Sequence, residues 1–348
     1  MMPEKRKLFV IFFLFILLVP FLVSCDGNKE QDEERTGFMM DTTVSVRAFG
    51  ENAEKAVDES FDRLEEIENL MSTTIEDSDI YKINENPGQA VKVDSKTIAA
   101  LEGALEYSRM TEGHLDPSIG PLVNLWNIGG NDPEVPPEKE INRAKELVDY
   151  QQIKIDNSNN TVTLSREGMA LDLGAVVKGY AADELEKIFA EHNVNNGFID
   201  LGGNIIVIGK KQDNSNWRVG IQDPRIDKSG IVGLLELSDM TVVTSGNYER
   251  YFKEDGTIYH HLISPFSGKP TRNNLKSVSI ITDNSMAADC LATGVYLMGL
   301  DKGRKLVDSL DNIEAIFITE EMEIILTQGL KDNFTLREDD FTLRGDNN

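Results

Sequence analysis

Cysteine is nearly absent from this 348-residue chain, which has two, Cys25 and Cys290. Two thiols cannot build a disulfide framework, a zinc ribbon or a Cys-ligated cluster. Histidine is scarce as well, and four residues leave little room for a multi-histidine metal centre. A metal used here calls for oxygen ligands and a hard cation such as Mg²⁺. Basic residues are in the minority, 35 against 60 acidic ones, for a net charge of −25. That balance argues against a general nucleic-acid binder, which needs a Lys/Arg excess to meet phosphates. The N-terminal apolar run, Leu8 to Val23, has only 16 residues, and a transmembrane helix needs about 20. No internal repeat is visible, and no Walker-type phosphate loop is present.

What is present is 40% apolar and 27% charged residues, the make-up of an ordinary globular protein with a sizeable core. Lys5, Arg6 and Lys7 precede the apolar run, and the pair suits a secretory signal. The run ends Leu22-Val23-Ser24-Cys25, which resembles a bacterial lipoprotein signal with Cys25 as the lipidated new N-terminus. An uncleaved anchor is the alternative, and both place the globular part outside the cytoplasm. Loss of residues 1–24 leaves 32 basic and 59 acidic residues, a charge of −27. The expected division is a signal peptide over 1–24, a flexible acidic tether over 25–36, one domain over 37–330 and a polar tail over 331–348.

The periodicity predicts a strand over 39–49 and helices over 51–71 and 95–111, the latter with Ser95 as N-cap. Residues 128–138 read as a Gly/Pro-rich loop. Short strands are expected at 161–164 and 169–173, and a helix at 175–192. β-rich runs follow at 217–221, 231–237, 241–244, 258–263 and 277–282, then a helix over 285–298. Such a mixture of strands and helices points to α/β or α+β rather than a pure class.

Five segments have the residue types that carry chemistry. Gly113 to Pro121 holds two glycines and two prolines, which frame a rigid loop around His114, Leu115 and Asp116. At 171–183 (LDLGAVVKGYAAD) a glycine turn leads into a helix whose free N–H groups suit an anion. There Asp172 can accept a hydrogen bond, and Lys178 lies one turn in. Asp200-Leu201-Gly202-Gly203-Asn204 allows close backbone approach to a ligand, or simply a bulge. Thr244 to Arg250 is followed by His260-His261, and strand alternation lets only one of these two histidines face a given site. Asp289 and Thr293 are four apart on a helix of small residues, a carboxylate and a hydroxyl on one face, suited to Mg²⁺. Each segment also has a bland reading: a corner, an ordinary turn, a structural histidine, a helix cap.

Taken in order, these segments resemble the ApbE family of FAD:protein FMN transferases. The opening M-G-T is Met40-Asp41-Thr42. D-P-[ST]-x-G-P-L-[VI]-x-L-W is 116–126, L-D-L-G-[AG]-x-x-K-G-Y-A-x-D is 171–183, L-G-G-N is 201–204 and T-S-G-[DN]-Y is 244–248. The histidine motif is 260–270, and A-D-x-L-[AS]-T is 288–293. The resemblance implies an α/β fold of mixed sheets flanked by helices, with a cleft for FAD and Mg²⁺. It implies Mg²⁺-dependent transfer of FMN from FAD to a Thr or Ser hydroxyl of a target protein, with release of AMP. The implied metal ligands are Asp289, Thr293 and the carbonyl of Ala175. Implied FAD contacts are Met40, Thr74, His114, Leu115, Asp116, Asp172, Lys178 and Leu262, with His261 as the base on the acceptor hydroxyl. The implied partner is a membrane-associated redox protein, met by an enzyme held at the membrane through its lipid. Two departures stand out. The usual D-P-R-T-G is Ser264-Pro265-Phe266-Ser267-Gly268 here, and the M-G-T glycine is Asp41. They make hydrolysis of FAD to FMN and AMP the second expectation, and a non-catalytic flavin-binding lipoprotein the third.

Overall fold

Strand alternation in this chain serves two cores, one on each face of a nine-stranded sheet. The computed structural model describes residues 32–226 and 228–345. The signal segment, Cys25 and the tether up to residue 31 lie outside the described residues. The strand order is Asp32–Met39, Thr42–Phe49, Gly197–Leu201, Asn204–Ile208, Met240–Gly246, Leu275–Thr282, Glu314–Thr319, Glu323–Leu326 and Thr342–Leu343. Neighbours are antiparallel except the last pair. In the strand Met240–Gly246, Val242 packs toward a small sheet built from Trp217–Gln222, Ile231–Leu237 and Phe334–Leu336. Its neighbour Val243 packs on the opposite face, against the helix Ser285–Met298. Consecutive apolar residues are therefore both buried, the mark of a strand covered on two sides. The mixed α/β class is as expected.

The helices Ala53–Met71, Ser95–Met110, Val177–Glu191 and Ser285–Met298 follow the predicted spans within two residues. The N-cap of the second is Asp94 rather than Ser95, its carboxylate accepting from Lys96 N at 2.8 Å. No strand forms at 169–173. Ala170 makes an isolated bridge to Ile119, and Asp172 N donates to the Pro117 carbonyl at 2.9 Å. That segment pairs with a loop, so its alternation is used without a sheet. The rigid loop gives way to a short helix, Gly120–Trp126, with Pro121 in its first turn, where a missing N–H costs nothing.

Both ends of the domain extend beyond the expected limits. Residues 32–36, read as tether from their charge, belong to an edge strand in register with Ser45–Phe49. Their charges are met by neighbours: Arg47 on the next strand reaches Asp32 at 2.8 Å and Glu34 at 3.5 Å, and Arg35 pairs with Asp58 of the helix Ala53–Met71. A charged edge strand resists pairing with other chains. The polar tail is anchored too. Phe334 and Phe341 are buried, and Thr342–Leu343 closes the sheet in parallel with Glu323–Ile324. No helix among the described residues is long and apolar enough to cross a membrane.

Candidate active site

The helix Ser285–Met298 carries small residues where it meets its neighbours, so backbones come close. A Cβ on Gly179 would lie 2.3 Å from the Ser285 carbonyl oxygen and 2.7 Å from Asp289 Cβ. This proximity lets the first helical N–H groups, which lack intrahelical partners, find a carboxylate instead. Gly179 N donates to Asp289 Oδ2 at 2.9 Å. In return, Asp183 accepts from Ser285 N at 2.7 Å and Met286 N at 3.0 Å, capping the second helix from the first. Asp289 is therefore oriented by a reciprocal clamp between two helices and is only 3% exposed.

Its second oxygen faces a cation. Lys178 Nζ lies 3.7 Å from Asp289 Oδ1 and 3.2 Å from the Gly174 carbonyl. One turn along, Thr293 Oγ1 is 3.1 Å from Ser245 Oγ. The Ala175 carbonyl accepts no backbone hydrogen bond among the described residues, since Gly179 N is committed to Asp289. A carboxylate, a hydroxyl and a free carbonyl are hard oxygen donors, and an ammonium group already rests in their field. The set fits a hard divalent cation. Among the described residues no three His, Cys, Asp or Glu side chains form an alternative metal cage.

The turn before Lys178 is held by Asp172, whose Oδ1 accepts from Gly174 N at 2.8 Å. Burial pushes the Asp172 carboxyl up, against the pull of Arg250 and Lys178. Asp116 is buried, one oxygen engaged within its own loop and the other by a segment 34 residues further on. Ser118 N and Oγ donate to Oδ1 at 2.8 and 2.6 Å, and Tyr150 N to Oδ2 at 2.9 Å. Desolvation raises its carboxyl too, with these bonds opposing. His114 Nδ1 meets the Thr111 carbonyl at 2.8 Å, and burial lowers its proton affinity.

The paired histidines separate as alternation requires. His260 is buried, its Nε2 donating to the Thr271 carbonyl at 2.8 Å. His261 turns to the cleft. Its Nδ1 lies 3.3 Å from the Arg250 carbonyl, which also accepts its backbone N–H at 3.0 Å. A proton on Nδ1 leaves Nε2 as the acceptor. Burial, helped by nearby cations, pushes this imidazole down to about 4, so it is neutral at physiological pH.

These groups share one cleft of about 950 Å³. Met40, Thr74, His114, Leu115 and Asp116 are among its lining residues. Asp172, Ala175, Lys178, His261, Leu262, Asp289 and Thr293 line it too, so all twelve site residues implied within the described chain converge there. A model of the ApbE family matches residues 40–317. The chain belongs to the ApbE family. It is 32% identical over 339 residues to an FAD:protein FMN transferase of Treponema pallidum, covering 92% of this chain and 94% of that one. It is 34% identical over 268 residues to one of Klebsiella pneumoniae, covering 77% of this chain and 83% of that one. Among solved structures, the ApbE protein of Thermotoga maritima superposes with a TM-score of 0.81 at 32% identity, covering 88% of this chain and all of that one. The flavin transferase ApbE of Vibrio cholerae gives 0.75 at 27% identity, covering 88% and 96%.

In this ApbE-family chain the departures have local reasons. Met40 and Asp41 both have positive φ, 50° and 57°, as the central pair of the tight hairpin turn between Met39 and Thr42. That geometry favours glycine, and Asp is among the few other residues to visit it. Ser264 stands at the start of a turn, its carbonyl accepting from Gly268 N at 2.8 Å and its Oγ from Ser267 N at 3.4 Å. A short acceptor side chain is kept there, though the charge is lost. Phe266 is 57% exposed and packs edge-on against His114 with ring centroids 4.8 Å apart. Trp126 Nε1 donates to the Gly268 carbonyl at 2.8 Å, tying the 116–126 motif to the histidine motif. The sequence reading missed three groups on the cleft wall: Ser245, Glu249 and Arg250. Nothing in a lone T-S-G-N-Y-E-R says which side chains turn inward. Burial and the Asp289 charge push the Glu249 carboxyl up to about 7, with Lys178 and Arg250 pulling the other way.

Proposed function

We propose that this protein is an FAD:protein FMN transferase that uses Mg²⁺ and a Thr or Ser hydroxyl of a target protein, releasing AMP. The observation that carries the reading is the convergence in one cleft of a neutral His261 with Asp289, Thr293 and the free Ala175 carbonyl. In the reaction, the acceptor oxygen bonds to the FMN-side phosphorus. The bond from that phosphorus to the bridging oxygen breaks, and its electron pair leaves with AMP. His261 Nε2 takes the hydroxyl proton, a role its Nδ1 contact to the Arg250 carbonyl prepares. Lys178 stands where it can balance phosphate charge, and the 114–116 loop with Met40, Thr74 and Leu262 forms the walls against which the flavin end is held. A Mg²⁺ ion on Asp289, Thr293 and the Ala175 carbonyl would supply charge neutralisation at the diphosphate. Lipidation at Cys25 would keep the enzyme outside the cytoplasm and beside membrane redox proteins, its targets.

The test is to incubate the protein with FAD and Mg²⁺, with and without a domain bearing a candidate acceptor threonine. AMP release and acceptor mass are followed together. Acceptor-dependent AMP with an FMN adduct is the expected result. AMP without any adduct would mean water is the acceptor, and retained FAD with no AMP would mean a binding protein.

A further inference from the structure

The cleft is an unwelcoming place for a polyanion. Seven acidic side chains line it, against two basic ones, Lys178 and Arg250. Both histidines on its wall are held neutral by burial. Lys178 is already engaged by Asp289 and the Gly174 carbonyl. Arg250 is different. Among the described residues its guanidinium makes no ion pair, and its one hydrogen bond is a long one, from Nη2 to the Asp41 carbonyl at 3.4 Å. Its stem passes close to Gly129, where a Cβ would lie 3.6 Å from Arg250 Cδ. The side chain is thus braced at both ends while most of its five donors stay uncommitted. Its charge is felt by the groups around the reacting centre, helping to hold down Asp172, Glu249 and His261. Its own carbonyl accepts from His261 N and Nδ1, so the two residues are neighbours on the cleft wall.

We propose that Arg250 is a diphosphate-binding residue, its guanidinium taking the phosphate oxygens of the dinucleotide beside His261. An arginine fork matches phosphate geometry and is stronger than a neutral donor, which an acidic wall requires. The inference rests on the transferase reading only for the identity of the dinucleotide as FAD. Substitution of the side chain leaves the carbonyl, and hence His261, in place. The residue is exposed, so variants are expected to keep the fold.

The experiment measures binding of FAD, ADP and riboflavin to wild-type, R250K and R250Q proteins in Mg²⁺. ADP has the diphosphate without the flavin, and riboflavin has the flavin without phosphate. R250Q is expected to weaken FAD and ADP about 10- to 100-fold, the range for hydrogen bonds to a charged group, and to leave riboflavin unchanged. R250K should recover part of the loss, since it keeps the charge without the fork. Unchanged FAD and ADP affinities in R250Q would overturn the proposal, as would an equal loss for riboflavin. A wild-type protein that binds ADP but transfers no FMN would sink the transferase reading alone, with the ADP arm still deciding Arg250.

Discussion

His261 and Asp289 are each oriented by a neighbour, the Arg250 carbonyl for the imidazole and Gly179 N for the carboxylate. Removing the imidazole should slow FMN transfer without loss of FAD. His261→Ala is expected to lower kcat about 10²- to 10⁴-fold, the range for a general base, with the FAD Kd little changed. A large rise in Kd instead would make His261 a binding residue. Because its folded-state proton affinity is depressed to about 4, the base form persists through mildly acidic pH. The sign for stability follows. Between the unfolded value near 6.5 and the folded value the unfolded chain binds the extra proton, so His261 destabilises the fold as pH falls through that window. The carboxyls of buried Asp116 and of part-buried Asp172 and Asp183 are shifted up by desolvation and act in the opposite sense. The His261 share is therefore read as a difference: the Tm of His261→Gln should drop less from pH 7 to pH 4 than that of the wild type. At Asp289, replacement by Ala removes the one carboxylate of the proposed metal set. Mg²⁺-dependent turnover should vanish, and Mg²⁺ should no longer alter FAD binding; full activity would discard the assignment.

The two helices that meet at Gly179 decide how well the site is built. A Cβ there meets backbone atoms, the Ser285 carbonyl oxygen and Met286 Cα, which cannot swing aside as a side-chain tip can. Gly179→Ala should force the helices apart and cost about 1–3 kcal/mol, the range for overpacking. In a protein of this size that is several degrees of Tm at roughly 2–4 °C per kcal/mol. Turnover should fall further than stability does, because the clamp on Asp289 opens at the same place. A Tm loss with unchanged turnover would show that the clamp does not set the site. Much of this pairing was legible in the sequence. The 3.6-residue period and the small residues of 285–298 marked a close-packed helix, and Asp289 and Thr293 had to share its face. That Gly179 and Asp183 complete the clamp was not legible, because the partner lies 102 or more residues away along the chain.

Over the whole molecule, both ends of the domain are held by contacts that composition conceals. Arg225 binds Asp223 through Nε at 2.9 Å and Asp340 through Nη1 at 2.6 Å, and its guanidinium lies 5.0 Å from the Phe341 ring centre. Phe341 fills the core between the large sheet and the small one. Phe341→Ala should cost about 3–5 kcal/mol, seen as a lower urea midpoint with FAD binding retained at 25 °C. A midpoint equal to that of the wild type would mean that the tail contributes nothing to the fold.

The sequence alone determined the class and the main helices, because these rest on local periodicity, and its ordered motifs identified the family, whose resemblance implied twelve of the residues that line the cleft. It also determined that one histidine of the pair would face inward, since side chains alternate along an extended chain. The family resemblance pointed to His261 as that one; its proton state was decided by the tertiary structure, through burial and the Arg250 carbonyl. Tertiary structure also turned an acidic segment into an edge strand and a polar tail into part of the core, by placing counter-charges and an apolar pocket opposite them. Charge and burial depend on partners distant along the chain, and a reading along the chain sees only neighbours.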